Sequence, residues 1–280
     1  MSLLETKWKD FQTVRYGPEE GQEGDLHLPG RQHPSVVCLL HGGFWRMPYG
    51  REELGSVATD LVSRGFAVWN LEYRRLGAPS GGWPETLQDV ARGLDFLADI
   101  SAAGAELDPQ RAIVVGHSAG GQLALWAAAR GGRRSGLRRP ARIRPCAAAG
   151  LAAMVDLARA FTNDAGRGAV AELLGGSPEQ RPERYADASP ISLLPLGVDQ
   201  LIVHGAADDE LPVETARGYA RAAVAAGDRI QYSELPGAGH MDYLDPASEA
   251  HGVLCQWLER VTTGRLEGSE GGSEHGGRDS

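Results

Sequence analysis

The sequence contains a serine, a histidine and an aspartate whose local motifs are typical of nucleophilic catalysis. Ser118 stands at the centre of a Gly-x-Ser-x-Gly motif, after an apolar run and before an alanine-rich segment from Leu123 to Ala129. This order predicts a strand, a sharp turn and a helix, with the serine hydroxyl raised above the sheet beside the helix N-terminus. We interpret Ser118 as a nucleophile; the alternative is an ordinary structural turn.

A serine hydroxyl needs a base within hydrogen-bond reach, and the base needs a carboxylate that orients it. His240 lies in a glycine-rich loop directly after the last predicted strand and is the predicted base. Asp208 follows the preceding strand and is the predicted carboxylate, with its neighbour Asp209 as the alternative. His117 precedes the serine and is expected to face away from it, without a catalytic role.

The tetrahedral intermediate of acyl transfer needs N–H donors for its oxyanion. Ala119, the residue after the serine, is predicted to supply one donor. The glycine-rich turn at residues 41–44 is predicted to supply the second from Gly43, with Phe44 close by. Apolar side chains next to these turns and next to the histidine are expected to bind the substrate, namely Phe44, Trp45 and Met241. For Trp45 the alternative is packing beneath its own loop.

These motifs need a scaffold, and the hydrophobic pattern predicts one. Apolar runs such as Ser35 to Leu40 alternate with segments whose apolar residues recur at helical spacing. The alternation predicts an α/β fold with a mostly parallel central sheet and helices on both faces. Ligands of such sheets bind beyond the carboxyl ends of the strands, and each motif above falls at such an end.

The chain is predicted to form a single domain over residues 1–263, in which residues 156–195 form a small helical lid. Residues 264–280 lack apolar residues that could anchor them, so we expect a disordered tail. The segment from residue 130 to residue 144 contains seven arginines. It is interpreted as a solvated loop, with a surface that binds anions or a partner as the alternative.

The net charge and the distribution of apolar residues exclude some classes of binding partner. A net charge of −9 argues against nucleic acid, and no apolar run approaches the roughly 20 residues of a membrane helix. The first ten residues do not read as a secretory signal, and the three cysteines lie in apolar surroundings that favour free thiols. We therefore expect a cytoplasmic protein. Neither metal-ligand spacing nor a phosphate-binding glycine loop is found, so no metal or cofactor is predicted. The oligomeric state is left open.

Taken together, the motifs at residues 41–45, 116–121, 204–208 and 239–240 resemble those of the α/β-hydrolase superfamily. The similarity extends over roughly residues 12–262 and is closest to the esterase and prolyl-oligopeptidase-like branch. The His-Gly-Gly-x-Trp motif resembles that of the kynurenine formamidases (arylformamidases). Two departures from the branch are expected: the 34 residues before the first central strand leave little room for an N-terminal cap, and we expect no propeller domain.

The resemblance implies a serine hydrolase, either a carboxylesterase or an arylformamidase-like enzyme. Such an enzyme would cleave small carboxylic esters or aryl amides through an acyl-enzyme. The alternatives are a peptidase for short peptides and a non-catalytic relative that only binds a ligand. Arg46, Arg74 and Arg75 follow predicted strands and could bind a substrate carboxylate, although surface ion pairs are the alternative.

Overall fold

The computed structural model describes residues 11–130 and 141–263 of the chain. The predicted tail and residues 131–140 of the arginine-rich segment lie outside the described residues. Flanking arginines of that segment are described and form ion pairs: Arg130 with Asp95 at 2.8 Å, and Arg142 with Asp99 at 2.7 Å.

An eight-stranded sheet forms the centre of the described structure. Its strands are β1 Gln12–Arg15, β2 Glu23–His27, β3 Ser35–Leu40, β4 Ala67–Leu71, β5 Asp108–His117, β6 Ala147–Leu151, β7 Asp199–Gly205 and β8 Ile230–Leu235. They are arranged in the order β1-β2-β4-β3-β5-β6-β7-β8. The pairs β1–β2 and β2–β4 are antiparallel, and the remaining pairs are parallel. The predicted, mostly parallel sheet is confirmed.

Helices cover both faces of this sheet. They are α1 Gly55–Ser63, α2 Glu85–Asp95, α3 Leu97–Ala102, α4 Ala119–Ala129, α5 Leu157–Thr162, α6 Ala169–Leu174, α7 Pro182–Ala188, α8 Val213–Ala225 and α9 Glu249–Thr263. Helices α1 and α9 contribute to the hydrophobic core on one face, and α2 to α8 contribute to the core on the other. None of the described helices is both long and apolar enough to cross a membrane.

The centre of the fold is strand β5 and the helix that follows it. Every residue of α4 is buried, because the helix consists of alanine, glycine and large apolar residues apart from Gln122. Strand β3, buried along its whole length, pairs with β5 in parallel. The turn between β5 and α4 is therefore held on all sides by packed structure.

Residues 156–195 form α5, α6, α7 and a short 3₁₀ helix, Pro190–Leu193. Their apolar residues, such as Leu173 and Tyr185, belong to the same core as α4. Arg46 ties this helical insertion to the loop after β3: its guanidinium donates to Glu172 Oε2 at 2.8 Å and to the Gly166 carbonyl at 2.9 Å. The role of the insertion as a lid stays a prediction.

Candidate active site

Ser118 occupies a strained turn between β5 and α4, with φ at 55° and ψ at −116°. Left-handed backbone of this kind is disfavoured for residues with a side chain. Two glycines allow the turn. A Cβ on Gly116 would lie 2.0 Å from the Gly120 carbonyl oxygen, and a Cβ on Gly120 would lie 2.1 Å from that of Leu40. The turn thus packs against the end of β3 and raises Ser118 at the carboxyl edge of the sheet.

Ser118, His240 and Asp208 form one hydrogen-bonded chain. The hydroxyl oxygen of Ser118 lies 3.0 Å from Nε2 of His240. Nδ1 of the same ring lies 2.8 Å from Oδ2 of Asp208. The structure brings these three residues together from the ends of β5, β7 and β8, as the sequence motifs predicted. Asp209 is exposed, and the carboxylate against His240 is that of Asp208.

Asp208 is held in place by the loop that carries it. Its Oδ1 accepts the backbone N–H groups of Glu210 and Leu211, and Nε2 of His204 lies 3.3 Å from Oδ2. Burial alone would raise the pKa of Asp208, but the hydrogen bonds from His204, His240 and the Leu211 N–H lower it below its ordinary value. The carboxylate is therefore ionised at neutral pH and orients the His240 ring.

His117 was expected to face away from Ser118, and the structure places its ring against the loop that carries His240. Its Nε2–H donates to the backbone carbonyl of His240 at 2.8 Å, and the two rings lie 4.9 Å apart. Burial, followed by the charge of His240, lowers the pKa of His117 to about 4, so the ring is neutral at neutral pH. The sequence carried a usable signal: the residue before the serine must also lie at the carboxyl end of β5, beside the loop from β8.

The donors predicted for an oxyanion lie at this edge as well. Gly43, at a φ of 87°, lines the cavity in front of Ser118. A Cβ on its neighbour Gly42 would lie 3.2 Å from the Ser118 Cβ, so the glycine turn lies directly against the serine. Ala119 is the first residue of α4. Within the described part of the chain, the N–H groups of Gly43 and Ala119 donate to no protein acceptor.

A cavity of about 480 Å³ opens in front of Ser118 and His240. Phe44 and Met241 line it, together with Tyr49, and their role in binding substrate stays a prediction. Trp45 does not: it is fully buried, and its indole N–H donates to Oε1 of Gln122 at 3.1 Å. The prediction that Trp45 binds substrate is wrong, because its indole is buried in the core and hydrogen-bonded to the side-chain amide of Gln122 on α4. The alternative, that Trp45 packs inside the protein, is favoured by this contact with a residue distant in the chain.

The cavity wall is acidic. Its carboxylates are those of Glu53, Asp209, Glu210 and Asp242, and the described lining contains no lysine or arginine. The three arginines considered for a substrate carboxylate are engaged elsewhere: Arg46 with Glu172, Arg74 with the buried Asp89, and Arg75 with Glu72 and the Tyr49 carbonyl. All three arginines form ion pairs, as the alternative interpretation held, but only the pair of Arg46 lies at the surface, since Asp89 and Glu72 are buried.

Possible metal ligands come together elsewhere in the described residues. Asp60 on α1 lies beside His251 and Cys255 on α9. Oδ2 of Asp60 accepts from His251 Nε2 at 2.7 Å and from the Arg64 guanidinium at 2.6 Å. The arginine already balances the charge of this carboxylate, so the cluster is explained as a hydrogen-bonded link between α1 and α9.

Comparison with known proteins places this geometry in a family. A family model described as BD-FAE matches residues 25–221. The chain belongs to the BD-FAE family. Esterase LipC of Mycobacterium tuberculosis is 27% identical over 285 residues, which cover 95% of this chain and 69% of LipC. Kynurenine formamidase of Danio rerio is 32% identical over 113 residues, which cover 40% of this chain and 36% of that protein.

Solved structures of similar fold confirm the architecture of this BD-FAE chain. A truncated carbohydrate esterase from gut microbiota superimposes with a TM-score of 0.78 at 22% identity, covering 90% of this chain and 95% of that one. The butyrate-bound esterase Est2 of the planctomycete Thermogutta terrifontis gives a TM-score of 0.71 at 21% identity, covering 92% and 94%. The predicted resemblance to the α/β-hydrolases is confirmed, and the chain is a hydrolase.

Proposed function

We propose that this hydrolase is a serine esterase that cleaves small carboxylic esters through an acyl-enzyme. The observation that carries the proposal is the chain of hydrogen bonds from Ser118 through His240 to Asp208, at 3.0 and 2.8 Å. A serine whose hydroxyl is hydrogen-bonded to an imidazole that a carboxylate orients is an activated nucleophile. LipC, which aligns along 95% of this chain, is named an esterase.

Each residue then has a role in the reaction. Ser118 Oγ attacks the ester carbonyl carbon while His240 Nε2 takes the hydroxyl proton, and Asp208 stabilises the resulting imidazolium. The N–H groups of Gly43 and Ala119 bind the oxyanion of the tetrahedral intermediate, with Phe44 beside them. His240 returns the proton to the leaving alkoxide. Water, activated by the same ring, then releases the carboxylic acid and restores Ser118.

The cavity favours an uncharged or cationic substrate with apolar parts. Phe44, Tyr49 and Met241 offer apolar surface in a cavity large enough for a small ester. Four carboxylates and the lack of lysine or arginine in the described lining disfavour an anionic substrate, because like charges repel most strongly where water is partly excluded. A small-molecule partner is thus proposed. Cys38 and Cys255 are buried thiols that form no disulfide, which supports a reducing, cytoplasmic location.

Turnover of p-nitrophenyl acetate, with Ser118→Ala as the control variant, tests the proposal. We expect hydrolysis by the unmodified chain, loss of activity in the variant, and labelling of Ser118 by a fluorophosphonate. A folded sample that neither hydrolyses the ester nor reacts with the fluorophosphonate would instead be a ligand-binding relative.

Hydrolysis of N-formyl aryl amides is the second candidate function. The alignment with kynurenine formamidase of Danio rerio, at 32% identity, favours it, and the aromatic side chains of the cavity suit an aryl group. The acidic wall opposes a substrate that carries a carboxylate. Comparing kcat/KM for N-formylkynurenine with that for p-nitrophenyl acetate decides between the two, since absence of turnover of the formamide removes this candidate. Release of amino acids from short peptides would indicate a peptidase.

A further inference from the structure

His41 and Glu72 form a buried pair directly behind the turn that carries Gly43. Neither side chain lines the cavity, and the roles assigned above leave both unused. We propose that His41 carries a proton on both ring nitrogens and, paired with Glu72, holds the Gly42–Gly43 peptide in the orientation that presents the Gly43 N–H to the substrate. The inference rests on the proposed function, because it takes that N–H as an oxyanion donor.

The His41 ring lies between two hydrogen-bond acceptors. Nε2 is 2.8 Å from Oε1 of Glu72, and Nδ1 is 2.9 Å from the carbonyl oxygen of Gly42. A carboxylate and a carbonyl can only accept, so each contact needs an N–H on the ring. A neutral imidazole has one N–H and would place a lone pair against an oxygen at the other contact. The geometry therefore assigns His41 as an imidazolium.

The environment of Glu72 supports this assignment. Its Oε1 accepts the Tyr73 N–H at 3.0 Å and its Oε2 accepts the Arg51 N–H at 3.2 Å, so both carboxyl oxygens already act as acceptors. Glu72 is therefore a carboxylate, which demands a proton on the facing nitrogen. Further charged or titratable groups around the pair are Tyr16 after β1, Arg51 and Glu53 before α1, and Tyr73 and Arg75 after β4.

The peptide between Gly42 and Gly43 transmits the effect to the site. In a trans peptide the C=O and the following N–H point in opposite directions from one rigid plane. A hydrogen bond that fixes the Gly42 carbonyl on His41 therefore fixes the direction of the Gly43 N–H on the other side. The Tyr73 hydroxyl holds the preceding carbonyl, that of His41, at 2.9 Å, and its ring stacks on the imidazole at 4.3 Å. His41 is thus a positioning residue that acts through the backbone.

The protonation state can be measured directly on the full chain by ¹⁵N NMR of the histidine rings, with the His41 signals identified by their loss in His41→Gln. At neutral pH we expect both His41 nitrogens to have imidazolium shifts, and we expect Glu72→Gln to convert the ring to the neutral form. A neutral-ring pattern in the unmodified protein would overturn the proposal. This readout does not depend on activity, so it decides the protonation state even if the protein hydrolyses no ester.

Kinetics test the positioning role. Loss of a single oxyanion donor typically lowers kcat by about 100- to 1000-fold, and a misdirected donor should cost at least about tenfold. We therefore expect Glu72→Gln to lower kcat for a neutral ester about tenfold or more with KM within about twofold, since the interaction is made in the transition state. Glu72→Asp should retain more activity.

A matched control removes a different ion pair. Asp95, at the end of α2, pairs with Arg130 at 2.8 Å, and Asp95→Asn should leave kcat unchanged. A folded Glu72→Gln protein with unchanged kcat would contradict the positioning role, while the ester activity itself would stand. Should Glu72→Gln fail to fold, Glu72→Asp decides by the same kinetic measurement, with a loss of kcat at constant KM expected.

Discussion

Replacement of Asp208 by asparagine should abolish proton transfer through the hydrogen bonds from Ser118 to His240 and Asp208, while keeping the positions of these side chains. In the structure, Oδ1 of Asp208 accepts two backbone N–H groups, from Glu210 at 2.9 Å and Leu211 at 2.8 Å. An asparagine would keep its carbonyl oxygen on these donors, because its NH₂ group cannot accept from them. The NH₂ group would then face His240 Nδ1 and select the ring tautomer that carries its proton on Nε2.

That tautomer cannot take the proton of Ser118. The same carboxylate-to-amide change costs about 10⁴-fold in kcat in the triad of a serine protease, or about 5 kcal/mol of transition-state stabilisation. We expect Asp208→Asn to lower turnover of p-nitrophenyl acetate by this order and to slow fluorophosphonate labelling of Ser118 in parallel. The matched control is Asp209→Asn, whose exposed carboxylate makes no contact with His240, and its loss should stay below about tenfold. If Asp208→Asn retained a tenth of the activity, the orienting role of Asp208 would be refuted.

Four further outcomes are expected. Gly120→Ala should lower the free energy of unfolding by about 3 kcal/mol or more, since its Cβ would lie 2.1 Å from the Leu40 carbonyl oxygen. Gly252→Ala on α9 should raise the free energy of unfolding by about 0.5–1 kcal/mol, because alanine favours the helix and the new methyl group has open space around it. Thermal melts of the two variants check both expectations. Because burial lowers the pKa of His117 from 6.5 to about 4, the unfolded chain binds this proton more readily, and stability should fall by up to about 3 kcal/mol as the pH drops across that interval. Denaturant titrations at several pH values check this, and His117→Asn should flatten the curve. The acidic cavity should give a choline ester a higher kcat/KM than its uncharged dimethylbutyl analogue, by about threefold or more at low salt, and added salt should remove the difference. Equal values at low salt would show that the carboxylates do not act on the substrate.

Most of the strands and helices could be predicted from the sequence, because the patterns that indicate them depend only on neighbouring residues. The apolar run Ser35–Leu40 became β3 with the predicted bounds, since a strand buried on both faces has a continuous apolar sequence. Helix α4 begins at Ala119, earlier than the alanine-rich run indicated. Gly120 and Gly121 are poor helix formers, yet the close contacts of this turn require them.

The placement of Ser118, Asp208 and His240 could be predicted because each follows a strand, and parallel strands bring their carboxyl ends to one edge. Side-chain partners could not be predicted in this way. The burial of Trp45 depends on Gln122, and the contact of His117 with the His240 carbonyl depends on the path of a distant loop. The first contact joins residues 77 positions apart and the second joins residues 123 positions apart, so no local sequence pattern contains either.

The backbone at Ser118 has a consequence for how the chain can evolve. A residue with a side chain at a φ of 55° and a ψ of −116° costs on the order of 1–3 kcal/mol, and glycine would remove most of that cost. Selection for a sturdier protein alone would therefore erase the hydroxyl. A serine in so unfavourable a conformation fits the nucleophile proposed here, whose position is held at some cost to folding.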